Sequence, residues 1–160
     1  MRGRLKFRLI TVPYLGIAAF FIFNIISIWQ FPGYDKCSFF ESDNCKSETY
    51  SFKLNFFSEL GSLNTNTDDD LLSHGAGESN NKRNTVSMIF FNASLVIVGA
   101  VIIVFYQSFN SLFAWKKDSL KSIKYSKISK YLSIVTGVMF AGVGLAPHDL
   151  SFAAHVFFAN

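Results

Sequence analysis

Four ionisable side chains stand in or beside strongly apolar sequence: Glu59, His148, Asp149 and His155. Such groups are costly in membrane-like surroundings and are functional candidates for that reason, histidine being the least costly of them. A lipid-modifying enzyme acting at a membrane face would use Glu59, Asp149 and His155, which are therefore the candidate catalytic residues. Spacing limits how they can combine. His148 and His155 are seven apart, which on a helix returns to nearly the same face, whereas Asp149 and His155, six apart, do not share one. A metal site would need Asp149 in a loop and a further ligand such as Glu59 from elsewhere. No metal is assigned, and no cofactor is expected. The competing reading makes Asp149 a helix cap, gives His148 an interfacial position, and gives His155 a hydrogen bond to a neighbouring span.

Three further patterns have chemical readings. Cys37 and Cys45 are disulfide candidates, and in an oxidising compartment a bridge across that short loop contributes on the order of 2 to 3 kcal/mol; two free thiols are the alternative. The run Asp68, Asp69, Asp70 lacks the alternating ligands and central glycine of a calcium loop, so a solvated charge run is expected. Asn92-Ala93-Ser94 matches a glycosylation acceptor but falls inside an apolar run, where Asn92 is expected to bond another helix instead.

The elements that would position these residues follow from hydropathy and charge. Hydrophobic residues make up 50% of the 160, with 19 phenylalanines, and charged residues only 16%, against roughly 25% in a soluble domain. The basic residues cluster at Arg2 to Arg8 and Lys116 to Lys130, each beside a long apolar run. That is the pattern of cytoplasmic membrane flanks rather than of a nucleic-acid-binding face. Leu9 to Tyr34 carries no charge and is too long for the core of a cleaved signal peptide. The expected architecture is all-α, a multi-pass transmembrane helix bundle in one membrane domain. Its spans cover about 9–31, 86–109 and 131–147, with a fourth beginning at about 150–160.

Between the first two spans, residues 35–85 hold nine acids against five bases, which places this loop on the extracytoplasmic side. Within it, Tyr50 to Leu63 is apolar enough for a short helix or a membrane-surface segment. Residues 110–130 form the expected cytoplasmic loop, so the N-terminus is cytoplasmic and the compartment is a cell membrane, plasma or inner. In the third span, Gly137, Ala141 and Gly144 form a small-residue stripe for close helix packing. Asp149 and Ser151 stand where the N-cap of a fourth helix belongs. That helix has only eleven residues before Asn160, too few to span, which marks the chain as a fragment of a larger bundle.

The stretches FSELG (Phe57 to Gly61), IFFN (Ile89 to Asn92) and GVGLAPHD (Gly142 to Asp149) followed by His155 resemble the bacterial and archaeal membrane proteins of domain-of-unknown-function 998. That family is similar in layout to the eukaryotic membrane proteins that modulate autophagy and remodel the lipid of glycosylphosphatidylinositol anchors. The resemblance implies a bundle of about six helices and brings no established activity. The long acidic excursion before Val86 and Ala146, where a bulkier apolar residue is common, depart from the family pattern.

The function expected is that of a non-catalytic membrane scaffold or lipid-interacting protein. The alternatives are the outer-leaflet lipid-modifying enzyme and a small transporter, for which the third span offers only Thr136 and glycines. The partners expected are the lipid bilayer and other membrane helices, including further C-terminal spans of its own, and not nucleic acid.

Overall fold

The computed structural model describes residues 2–35, 46–52, 55–65, 82–115 and 118–160. The chain begins with α1 (Arg2–Lys6), which continues through one π-helical turn, Phe7–Thr11, into α2 (Val12–Gln30). In that turn the Val12 N–H reaches the Phe7 carbonyl, five residues back. Pro13 follows directly and has no N–H to give, so the wider turn falls where the ordinary helical ladder is already broken. After α2 the chain turns at Pro32 and Gly33, whose φ of 77° favours glycine. It then enters a two-residue antiparallel ladder, β1 (Tyr34–Asp35) with β2 (Lys46–Ser47). A single 3-10 turn, Phe57–Gly61, precedes α3 (Thr85–Trp115), α4 (Leu120–Leu145) and α5 (Phe152–Ala159).

The molecule is an all-α bundle, and three of its helices are long and apolar enough to cross a membrane. It is a membrane protein. At about 1.5 Å per residue α3 is roughly 46 Å long and α4 roughly 39 Å, both beyond the roughly 30 Å hydrocarbon core. Side chains such as Tyr14, Phe21, Ile25, Leu132 and Val135 are exposed on the outside of the bundle. In water such a surface would be unstable; in lipid it is the solvated one.

Two boundaries differ from expectation. The described residues of 110–130 are mostly helical: α3 runs to Trp115, and α4 starts at Leu120, where the Ser119 hydroxyl accepts from the Ser122 N–H at 3.1 Å. The lysine-rich segment is helical because lysine and leucine are good helix formers and a serine cap initiates the turn. The last helix starts at Phe152 rather than Leu150, after a turn in which the Leu150 and Ser151 N–H groups both donate to the Pro147 carbonyl. Cys37, Cys45 and Asp68 to Asp70 lie outside the described residues.

Helix α3 lies between α2 and α4. The buried apolar core is small and sits at the end of the bundle that carries the loop: Phe31, Tyr50, Leu60, Phe91 and Leu95. That end is called the loop end below, and the opposite one, where α4 begins with its lysines, the lysine end.

Candidate functional site: the polar cap at the loop end

The three sequence stretches FSELG, IFFN and GVGLAPHD come from different elements and meet at the loop end. Their contact begins with ring packing: Phe57 and Phe91 lie edge to face with centres 5.0 Å apart. A short 3-10 turn leaves backbone carbonyls without helical partners, and burial makes those orphans costly. Side chains from the start of α3 supply the missing donors. Asn84, 1% exposed, directs its amide at the carbonyls of Glu59, Leu60 and Ser62, at 3.2, 3.3 and 3.0 Å. The Ser87 hydroxyl donates to Leu60 at 3.1 Å, and the Asn92 amide to Gly61 at 3.1 Å. Asn92 therefore bonds the loop and not another helix, contrary to the expectation from its place in an apolar run.

Glu59 is buried, and its carboxylate accepts from the Asn55 amide at 2.5 Å. Beside this pair the Tyr50 phenol donates to the Asn55 carbonyl at 3.4 Å. Burial, and secondarily the charge of Glu59, raises the Tyr50 phenol above its ordinary value of 10.0.

Asp149 does not cap the last helix. One of its oxygens, Oδ2, accepts from two successive backbone N–H groups, Leu63 at 2.8 Å and Asn64 at 3.0 Å. Ser151 makes no side-chain cap bond to α5 either. A local capping pattern was legible in the sequence, but the backbone donors of a loop 86 residues away in sequence took the carboxylate instead. The expected cap failed because two charge-assisted bonds to partly buried N–H groups outweigh one at an exposed helix start.

His155 donates through Nδ1 to the Ala146 carbonyl at 2.8 Å. Ala146 is the residue that ends α4, and its carbonyl is one of the groups every helix terminus leaves without an internal partner. His155 and His148 are in contact, with ring centres 5.9 Å apart at an interplanar angle of 66°. Three buried atoms of the cap have no hydrogen-bond partner among the described residues, Asn84 Oδ1, His148 Nδ1 and Asp149 Oδ1.

The structure thus gives the three catalytic candidates separate partners: Glu59 with Asn55, Asp149 with Leu63 and Asn64, His155 with Ala146 and His148. Among the described residues no three His, Cys, Asp or Glu side chains gather into a group that could hold a metal ion.

The residues of the small-residue stripe lie against α3. A Cβ on Gly137 would stand 2.6 Å from the Gly99 carbonyl oxygen, and one on Gly144 would stand 2.6 Å from that of Asn92. Ala141 faces Gly99 as well. Gly142, outside the stripe, gives its space to the Phe158 ring of α5. Sequence reasoning missed the polar contacts of α2: Asn24 donates to Ser94 Oγ at 3.1 Å, and Ser27 meets Ser87 Oγ at 2.8 Å. Their only signal was an amide and a hydroxyl three apart within an uncharged run.

Comparison with protein-family models, with curated proteins and with solved structures finds no match.

Proposed function

We propose that the chain is a multi-pass membrane scaffold or lipid-interacting protein without catalysis of its own, related to the domain-of-unknown-function 998 proteins. The observation that carries this reading is the use made of its ionisable groups. Asp149 fastens the loop through Leu63 and Asn64, Glu59 is held by Asn55, and His155 closes the end of α4. Each candidate for chemistry completes a piece of buried backbone or is fixed by a neighbouring amide. The kinship is supported by the meeting of its three motif stretches at one end of the bundle.

The loop end faces the extracytoplasmic side of a plasma or inner membrane, and the N-terminus and lysine end face the cytoplasm. Support comes from charge: Lys121, Lys124, Lys127 and Lys130 stand at the lysine end together with Arg4, Lys6 and Arg8. Reporter fusions after Asp70 and after Trp115 test this; a cytoplasmic signal after Asp70 overturns the orientation. The scaffold reading is tested by lipid turnover with purified full chain, comparing the wild type with Glu59→Gln, Asp149→Asn and His155→Ala. No turnover above a protein-free control is expected. Turnover abolished by those substitutions would establish the lipid-modifying enzyme in its place.

A further inference from the structure

His148 and His155 are the part of the cap that the loop architecture does not account for. The Ala146 oxygen is an acceptor only, so His155 Nδ1 carries the hydrogen, and in the neutral ring Nε2 keeps its lone pair. A metal-binding histidine almost always has this second bond, which fixes both tautomer and ring orientation. Facing it, His148 has a buried ring nitrogen with no partner. Such an orphan calls for an explanation, and a bound ion is one of the few that serve.

We propose that His148 and His155 form a two-imidazole site for a divalent ion of the zinc and copper class at the loop end. Imidazole nitrogen suits these ions better than it suits calcium or magnesium. The observed spacing of 5.9 Å agrees with the chemistry: two imidazoles bound to one ion through nitrogens at about 2.0 to 2.1 Å have ring centres on the order of 5 to 6 Å apart. Both histidines are half-buried. No third His, Cys, Asp or Glu joins them among the described residues. The Pro147 turn brings the two rings together; without it, residues seven apart would be separated by about 10 Å of helix.

The test uses the full chain in detergent or nanodiscs, stripped with chelator and titrated with Zn2+ alone and with Cu2+ alone. Calorimetry and elemental analysis should give one ion per chain. Either His148→Ala or His155→Ala should weaken binding more than about tenfold, the scale on which lost metal-site groups are felt. Circular dichroism of each variant checks that the helices persist. A measurement without any variant stands beside these: the electron spin resonance of the Cu2+-loaded wild type should show coupling to two imidazole nitrogens. The proposal is overturned by a wild type that holds no stoichiometric ion, by binding retained when both His148→Ala and His155→Ala are combined, or by coupling to fewer than two nitrogens.

Discussion

The two sides of α3 solve the same problem by opposite means. Toward α2 the contact is polar: Asn24 donates to Ser94 Oγ, which donates on to the Phe91 carbonyl, while Ser27 donates to the Ser87 carbonyl and its hydroxyl pairs with that of Ser87. Toward α4 the contact rests on the absence of side chains, with Gly99 against Gly137 and Gly144 against Asn92, and Asn110 donates to Ser126 near the lysine end. In lipid there is no hydrophobic gain from bringing helices together, so both devices act where the usual one is missing. They differ in tolerance. A hydrogen bond can be lost and the helices still touch, but a backbone oxygen in van der Waals contact with a glycine cannot move aside for a side chain.

That contrast predicts an order of effects. Gly99→Leu should be the most damaging change, costing on the order of 3 kcal/mol by forcing α3 and α4 apart. Unfolding in mixed micelles measures it, and a cost no greater than that of a serine truncation would erase the distinction between the two sides. Next comes Asn84→Ala, which removes the donor to three buried carbonyls and should cost about 2 kcal/mol. Hydrogen exchange should quicken at residues 59–63 while α4 stays protected. Ser27→Ala should cost about 0.6 kcal/mol, the average for a membrane hydrogen bond. A much larger value would mean that the polar side, not the glycine side, holds the bundle.

The smallest effect is the one pH can reach. Because the fold raises the Tyr50 phenol above 10.0, it favours the protonated form. Its contribution to stability is complete below pH 10 and is lost as pH rises through the raised value. Ultraviolet titration of the wild type minus Tyr50→Phe should show one late-ionising tyrosine. Glu59→Gln should bring that midpoint down without restoring the ordinary value, since burial is the larger cause.

Spans were the most legible part of the sequence, because an uncharged run of sufficient length admits few alternatives in a membrane. Where the helices end was less so. The segment Leu120 to Lys130 has the charge of a loop and the propensity of a helix, and the charge was given more weight than it had. Asp149 and Asn92 show a second limit. Each sat in a position with a familiar local role, a cap for one and a helix contact for the other, and each bonds a loop distant in sequence. Hydrogen-bond donors on an irregular loop are invisible to pattern reading, since any residue supplies them. Asn24 and Ser27 were passed over for a simpler reason: an uncharged run hides its amides and hydroxyls.

The bond between Asp149 and the backbone of Leu63 and Asn64 joins positions 86 residues apart. During synthesis the loop is therefore made well before the carboxylate that fastens it. At about 5 to 20 residues per second the delay is roughly 4 to 17 seconds. Throughout that interval α2, the loop and α3 exist with two N–H groups still waiting for an acceptor. The loop is made before the residue that fastens it, and the signal for its closure is the arrival of α4.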